Sequence, residues 1–427
     1  MPPPPTIHTA MHAHLTNRRA NSCLRKLSLT PQASIDFSSN DFLSLTCFPV
    51  LKTAFLAELT NSPSFSLGSG GSRLLDGNSA YAEDLEREIA AFHGAQAALL
   101  FTSGFDANAG FFACVPQTGD VVLFDEFVHA SVREGMKLSR AGSCVSFAHN
   151  SVGDLRAKIE GLRADERIRV GERNVFVAIE SLYSMDGDLS PIEVILELVE
   201  ALLPKGNGHV VVDEAHSNGI YGAQGRGIVS SLGLEDRIFA RLHTFGKGLA
   251  CNGAAMLCTP LTREYLINYA RPLIYSTAMS FPSLAAIKVV YTLMTQGGTE
   301  SRIIYLNQLI EHMYHQLTTL LPYTKHPLTG GQLLQLPNEI PRSPIFALLT
   351  PEPRGLAGYC QDGGFMVRAI VPPTVPKGTQ RVRICLHAGN TFDDVERLVI
   401  RIKSWLEIRG NVGGGDEASV GFGKAVL

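Results

Sequence analysis

The segment Asp213-Glu214-Ala215-His216 ends an apolar run of three valines with an acid and, three residues later, a histidine. A carboxylate at that point can pair with a protonated ring nitrogen of a ligand, while the histidine contacts the same ligand from one side. The alternative is that Asp213 caps the next helix and His216 is an ordinary turn residue. The two segments described next bear on this choice.

A lysine stands between two glycines in the segment Thr244-Phe245-Gly246-Lys247-Gly248. Burial lowers the pKa of a lysine amine, which leaves it free to form a Schiff base with an aldehyde. The flanking glycines leave the side chain room to move. The alternative is a solvated charge in a loop, which is where most lysines lie.

The segment Thr102-Ser103-Gly104-Phe105 follows an apolar run and predicts a strand, a glycine turn and the start of a helix. The N–H groups and the dipole at a helix start suit a phosphate, although an ordinary turn between strand and helix has the same pattern. The three segments together describe a pocket for one phosphate, one cationic aromatic nitrogen and one aldehyde. That combination predicts pyridoxal 5'-phosphate as cofactor.

The three segments can form one site only if the fold brings them to the same edge of a sheet. Between about residues 95 and 260, short apolar runs alternate with glycine turns and helical patterns, which is typical of a mostly parallel sheet covered on both faces. The runs are Ala97 to Phe101, Val121 to Phe124, Val175 to Ile179, Val210 to Val212 and Ala254 to Leu257. Open α/β sheets bind ligands at the carboxyl ends of their strands, so we predict the α/β class and a site at that edge.

The pattern changes after residue 300. A long helix is predicted over 302–321, followed by strands over 345–349, 365–371 and 382–386 and by a helix that begins after Thr391 and stops at Gly410. This pattern indicates a small α+β domain. We therefore predict an N-terminal arm (1–50), a cofactor-binding large domain (51–300), a small C-terminal domain (301–409) and a flexible tail (410–427).

Composition excludes several classes of protein. The balance of 37 Lys and Arg against 40 Asp and Glu argues against a nucleic-acid partner. No apolar window reaches the roughly 18 residues that a membrane span needs. The eight cysteines form no Cys-x-x-Cys pair, so we predict no metal and a reducing compartment. The cytoplasm is our prediction for location, with the mitochondrion as the alternative because no acid precedes Asp36.

A series of motifs runs in order through nearly the whole chain. They are Phe37-Ser38-Ser39-Asn40-Asp41-Phe42-Leu43, Gly68-Ser69-Gly70-Gly71-Ser72, Ser103-Gly104-Phe105, His129-Ala130-Ser131, Ser184-Met185-Asp186-Gly187-Asp188, Asp213-Glu214-Ala215-His216, Thr244-Phe245-Gly246-Lys247-Gly248, Tyr275-Ser276-Thr277 and Pro372-Pro373-Thr374-Val375-Pro376. In these motifs the chain resembles the α-oxoamine synthases, which are fold-type-I pyridoxal phosphate transferases, and most closely those of the biotin pathway.

The resemblance implies a role for each matching residue. Lys247 would carry the cofactor and then act as the base on the substrate Cα. Asp213 would keep the pyridine nitrogen protonated, His216 would bond the ring hydroxyl and His129 would stack on the ring, although His129 also fits a core histidine. The other implied contacts are Ser103, Gly104, Phe105, Ser184 and Thr244 to the phosphate or ring, Ser276 or Thr277 from a second subunit, Asn40 and Arg383 to the amino-acid carboxylate, and Arg25 to the acyl substrate.

The implied activity is decarboxylative condensation of a small α-amino acid, L-alanine first, with an acyl thioester of CoA or a carrier protein, in a homodimer with a shared active site. The substrate side departs from the biotin-pathway pattern, because Val371 stands where those synthases have arginine and Ser44 where they have glycine. Residues 250–252 and 278–281 also differ. The alternatives are the same chemistry on a polyketide or fatty acyl thioester, an aminotransferase, and a noncatalytic partner subunit, against which Lys247 argues.

Overall fold

The computed structural model describes residues 6–411, apart from residues 22, 28 and 32. The strands are β1 (Ile35–Asp36), β2 (Ala97–Phe101), β3 (Val121–Asp125), β4 (Ser143–Phe147), β5 (Val175–Glu180), β6 (Gly208–Asp213), β7 (Ala240–Thr244), β8 (Ala254–Cys258), β9 (Ile345–Leu349), β10 (Phe365–Met366), β11 (Arg368–Ile370) and β12 (Arg381–Cys385). The helices are α1 (Ile7–Ala20), α2 (Pro49–Thr60), α3 (Ala80–Phe92), α4 (Gly104–Cys114), α5 (Ala130–Lys137), α6 (Val152–Leu162), α7 (Glu166–Arg169), α8 (Ile192–Leu202), α9 (Ile228–Ser231), α10 (Pro260–Tyr269), α11 (Arg271–Ile274), α12 (Phe281–Thr295), α13 (Glu300–Thr318), α14 (Pro353–Asp362) and α15 (Phe392–Asn411). In this part of the chain, no helix combines the length and the apolarity needed to cross a bilayer.

A sheet of seven strands, in the order β2-β8-β7-β6-β5-β3-β4, forms the centre of the large domain. The pairs from β4 to β7 are parallel, and β8 runs antiparallel to both of its neighbours, β2 and β7. The strands β2, β6 and β7 therefore point the same way, and their carboxyl ends meet at one edge. This confirms the predicted α/β class with a mostly parallel sheet.

Alternate residues of the central strands face opposite sides of the sheet. Along β5, Val175, Val177 and Ile179 join one hydrophobic cluster, whereas Phe176 and Ala178 join another on the opposite face. All six side chains of β5 are buried. A strand with both faces covered reads as one continuous apolar run, which is why these strands were predicted close to their observed bounds.

A second, antiparallel sheet of order β11-β12-β9 lies in the C-terminal part of the chain. The predicted strand over 365–371 is split into β10 and β11, and β10 pairs in parallel with β1 from the arm. The helix predicted over 302–321 is α13, and it ends at Thr318. The short 3-10 turn that follows contains Pro322, whose missing N–H is incompatible with further α-helix.

The last helix differs from its prediction at one end. It begins after Thr391, as predicted, and Thr391 and Asp394 cap its first turn through two hydrogen bonds of 2.9 and 3.0 Å. It does not stop at Gly410 but continues to Asn411, because Gly410 is not in the left-handed conformation that ends a helix. Residues 412–427 of the predicted tail lie outside the described residues. The division into four segments stays a prediction.

Candidate active site

Asp213 lies at the carboxyl end of β6 and is held by two hydrogen bonds. Its Oδ1 accepts the N–H of Ala215 at 2.9 Å, and its Oδ2 accepts Nδ2 of Asn108 at 2.8 Å. Asn108 also donates to Oγ of Ser131 at 3.0 Å, and this Oγ lies 2.7 Å from Nδ1 of His129. A continuous chain of hydrogen bonds thus joins the acid to the histidine and fixes the direction in which each points.

Two members of this hydrogen-bond network, Asn108 and Ser131, were not among the predicted site residues. Asn108 is buried among the apolar residues of α4, and Ser131 is fully buried in the first turn of α5. A polar side chain on the buried face of a helix needs a hydrogen-bond partner, so the position of Asn108 in α4 indicated a buried hydrogen bond. The partner could not be named, because it lies on a strand more than 100 residues further along the chain.

Glu180 is a third residue that was not singled out. It ends β5 and stands directly beside Asp213 in the β5–β6 register. Burial, and then the negative charge of Asp213, raise the pKa of Glu180 well above its usual value. Its buried position and the charge of Asp213 therefore disfavour a negative charge on Glu180.

His216 is buried at the same edge, close to Phe42. Burial lowers its pKa far below the usual value, and the positive charges of Lys247 and Arg383 lower it further. The imidazole is therefore neutral, and among the described residues no hydrogen-bond partner reaches its buried Nδ1. A neutral ring nitrogen with an open hydrogen-bonding direction fits the ring hydroxyl of pyridoxal phosphate.

Lys247 follows β7 and is half-buried at the edge of the sheet. Burial lowers the pKa of its ammonium group, while the carboxyls of Asp213 and Glu180 oppose that effect. The glycine after it is required, because a Cβ on Gly248 would lie 2.7 Å from the carbonyl oxygen of Asn218. These surroundings favour a reactive amine over a solvated charge.

The amino end of α4 lies against the end of β7. Ser103 caps the helix by accepting the N–H of Asp106 at 3.0 Å, which leaves the first N–H groups of the helix, those of Gly104 and Phe105, without partners inside the helix. A Cβ on Gly104 would lie 2.3 Å from Cγ2 of Thr244, so only glycine permits this approach. The arrangement suits a phosphate bound between the helix start and the strand end.

Replacing Gly104 with alanine is expected to separate α4 from β7, because the new methyl group and Cγ2 of Thr244 cannot share the same space. We expect a loss of about 1–3 kcal/mol in the free energy of unfolding and weaker cofactor binding. The double variant Gly104→Ala with Thr244→Ser removes that Cγ2 and should recover most of both losses. Thermal unfolding and cofactor titration measure the effect, and an equal defect in the single and double variants would contradict the steric explanation.

The predicted amino-acid contacts come together on the other side of the pocket. Arg383, on β12, donates Nε to the carbonyl oxygen of Ser184 at 2.6 Å and Nη2 to Oδ1 of Asn40 at 3.0 Å. Its charge is among the causes that lower the pKa of both Lys247 and His216. The guanidinium is therefore close enough for its charge to act on both groups, and a guanidinium can bind a carboxylate.

The remaining predicted residues lie at the margins. Arg25 is exposed on the wall of a groove of about 450 Å³ that also includes Arg18, Lys26 and Val371. Ser276 and Thr277 line a small cavity together with Thr102, close to the start of α4.

The site and the fold define a pyridoxal phosphate transferase of fold type I. The family model for class I and II aminotransferases matches residues 33–402. The chain is 50% identical over 406 residues to 8-amino-7-oxononanoate synthase of Emericella nidulans, covering 95% of this chain and 97% of that protein. It is 37% identical over 405 residues to the aminoacyl transferase sphA of Aspergillus fumigatus, covering 92% and 86%.

Solved structures share the fold at lower identity. Serine palmitoyltransferase of Sphingomonas wittichii superimposes with a TM-score of 0.80 at 23% identity, covering 96% of this chain and 100% of that one. For 8-amino-7-oxononanoate synthase of Francisella tularensis, the TM-score is 0.67 at 23% identity, with 89% and 99% covered.

The chain belongs to the class I and II aminotransferase family and, within it, to the α-oxoamine synthases. It is a pyridoxal phosphate-dependent acyltransferase that joins an α-amino acid to an acyl thioester with loss of carbon dioxide, forming a carbon–carbon bond. The resemblance predicted from the motifs is thereby confirmed.

Proposed function

We propose that the chain condenses L-alanine with the thioester of a seven-carbon dicarboxylic acid, pimeloyl, and so makes 8-amino-7-oxononanoate. The name of the Emericella relative describes a nine-carbon acid with a ketone at carbon 7 and an amine at carbon 8. Decarboxylative condensation builds that skeleton from alanine, which loses its carboxyl carbon, and a seven-carbon acyl unit. The observation that carries the amino-acid half is the Arg383 guanidinium, which is bonded to Asn40 and is close enough to Lys247 for its charge to lower the pKa of that lysine.

Each residue of the pocket has a distinct task in this proposal. When bound, pyridoxal phosphate supplies an electron sink for the carbanion that forms at the substrate Cα. Arg383 and Asn40 bind the amino-acid carboxylate and orient the Cα–H bond. Lys247 removes the Cα proton, for which its lowered pKa suits it. Asp213 keeps a proton on the ring nitrogen, where its charge stabilises the cation.

The other contacts of the cofactor follow from the same geometry. The N–H groups of Gly104 and Phe105 bind the phosphate, with Ser103, Ser184 and Thr244 around the phosphate and ring. His216 bonds the ring hydroxyl through its open Nδ1. His129 would contact the ring, and Ser131 holds its Nδ1 at 2.7 Å.

The acyl half of the proposal is supported by the groove at Arg25. The residue that is arginine in biotin-pathway synthases is Val371 here, but Arg18, Arg25 and Lys26 line the same groove. Cations from the N-terminal segment can therefore bind the far carboxylate of a dicarboxylic chain. The same Val371, with Pro372 beside it, favours a second candidate, an uncharged polyketide or fatty acyl thioester.

We further propose a homodimer in which Ser276 or Thr277 completes the site of the partner. The segments 68–72 and 275–278 are joined by two hydrogen bonds, from Ala278 N–H to Gly71 O at 2.8 Å and from Ser69 Oγ to Ala278 O at 2.9 Å. Large apolar side chains on or beside them are exposed; these are Leu67, Leu74, Leu75 and Tyr275. Such exposure is typical of an interface, and sedimentation at twice the 46.2 kDa chain mass would support the dimer. The cytoplasm stays our proposal for location, supported by eight free cysteines.

A panel of substrates tests the proposed reaction. The purified holoenzyme is given L-alanine, L-serine or glycine with pimeloyl-CoA or an uncharged fatty acyl-CoA, and products and carbon dioxide are measured by mass spectrometry. Dominant turnover of alanine with pimeloyl-CoA supports the proposal, whereas a preference for the uncharged chain supports the second candidate. A keto acid formed without carbon dioxide would identify an aminotransferase and overturn both.

A further inference from the structure

The turn formed by residues 183–188 joins the large sheet to the small one. It follows β5 and closes on itself, because Tyr183 N–H donates to Asp188 O at 3.0 Å and Gly187 N–H donates to Tyr183 O at 2.9 Å. Gly187 has a φ of +75°, and a Cβ there would lie 2.5 Å from the carbonyl oxygen of Ile345. The turn therefore packs directly on β9 of the small sheet.

On one side of the turn, His149 bridges two carboxylates. Its Nδ1 lies 2.9 Å from Oδ1 of Asp125, and its Nε2 lies 2.7 Å from Oδ2 of Asp188. The ring lies between Phe127 and Tyr183, with both centroid distances 4.5 Å. Burial by itself would lower the pKa of His149, but its hydrogen bonds to Asp125 and Asp188 raise it to about 10. His149 is therefore a cation at neutral pH and ties the turn to the end of β3.

On the other side, two arginines of β12 hold the turn. Arg381, whose side chain is 3% exposed, pairs with the carboxylate of Asp186 and donates to Met185 O at 3.2 Å. Arg383 lies two residues further along the strand, so it projects from the same face, and it donates to Ser184 O. The turn is thus bound on one side by the His149 cation, next to the seven-stranded sheet, and on the other by Arg381 and Arg383 of the three-stranded sheet.

These contacts affect the site for the amino-acid carboxylate, because the position of the Arg383 side chain depends on the turn. One of its N–H groups is committed to Ser184 O and another to Asn40, so a shift of the turn moves the guanidinium. We propose that His149 and Arg381 are positioning residues that hold the turn 183–188 from both sides and thereby fix Arg383 for the amino-acid carboxylate. The inference rests on the proposed role of Arg383 in carboxylate binding.

The substitution His149→Gln tests this inference, with His315→Gln on the exposed face of α13 as the matched control. In the holoenzyme we expect faster hydrogen–deuterium exchange of residues 183–189. We also expect the Kd and KM of the amino acid to rise about tenfold, the size of one lost charge-assisted hydrogen bond. The KM of the acyl thioester should stay unchanged. The Kd is measured by titrating the visible absorption of the cofactor, which does not require turnover.

His149→Gln leaves the fully buried Asp125 without its cation, which lowers the stability of the fold. A second variant therefore separates that effect from the loss of amino-acid affinity. Asp188→Asn keeps the pair of His149 with Asp125 and weakens the contacts that the turn makes through Asp188 with His149 and Asn150. It should give the same selective loss in amino-acid affinity, and Arg381→Lys should do so from the other side. A merely structural role would lower the unfolding temperature and leave the amino-acid Kd at the wild-type value, and that result overturns the inference.

Arg383→Lys separates this inference from the proposed function. If it weakens amino-acid binding while His149→Gln and Asp188→Asn do not, Arg383 binds the carboxylate and the positioning role is wrong. If Arg383→Lys leaves amino-acid binding intact, the proposed role of Arg383 is wrong and the inference falls with it. Faster hydrogen–deuterium exchange of the turn, together with weaker amino-acid binding in all of these variants, supports both the positioning role and the proposed role of Arg383.

Discussion

Replacing Lys247 with alanine is expected to lower kcat by at least about 10⁴-fold and to abolish covalent attachment of the cofactor. The lysine amine has two tasks in the proposed reaction, since it anchors the cofactor aldehyde and then removes the Cα proton. Burial lowers the pKa of the Lys247 ammonium group, and the carboxyls of Asp213 and Glu180 lie close enough to oppose that effect.

Borohydride reduction followed by peptide mass spectrometry measures this effect. In the wild-type protein the reduced cofactor should be found on the peptide that contains Lys247, and the visible absorption of the bound cofactor should disappear in Lys247→Ala. Lys137→Ala is the matched control, because that lysine is a surface residue with its side chain 68% exposed. Recovery of the reduced cofactor on a different lysine of the wild-type protein would show that the assignment is wrong.

Asp213→Asn is expected to lower kcat by about 10²–10³-fold while leaving the fold intact. The new amide has nearly the same shape: its oxygen can accept the N–H of Ala215, and its amino group can donate to Asn108 once the Asn108 amide turns to present Oδ1. What it lacks is the negative charge that keeps the ring nitrogen protonated. Burial disfavours a negative charge on the neighbouring Glu180, so that carboxyl is poorly suited to replace the lost charge.

The loss should lie in kcat and not in the unfolding temperature. Cofactor content, thermal unfolding and kcat are measured in parallel for Asp213→Asn and for the control Asp236→Asn, which changes an exposed carboxylate in the 3-10 turn before β7. If Asp213→Asn keeps the activity of the control, the carboxylate does not govern the ring nitrogen. A loss of folding in Asp213→Asn would instead show that the acid acts through the buried network with Asn108.

Much of the fold could be predicted because its signals are local. The strands β2 and β9 were predicted at their observed bounds, since a strand buried on both faces is a short apolar run between turns. The buried stripe of α15, from Val395 to Leu406, was also predicted from helical spacing. Its end was missed, because whether a glycine stops a helix depends on its backbone angles and not on its presence.

The sequence by itself determined the class of the fold, the cofactor and the residues offered to it, because each of those signals lies within a few neighbouring residues. Only the tertiary structure decided which distant residues support them. Asn108 meets Asp213, and His149 meets Asp188, through the order of the strands in the sheet. The strand order is set by the burial of both faces of the whole sheet, so no short segment of the sequence predicts it.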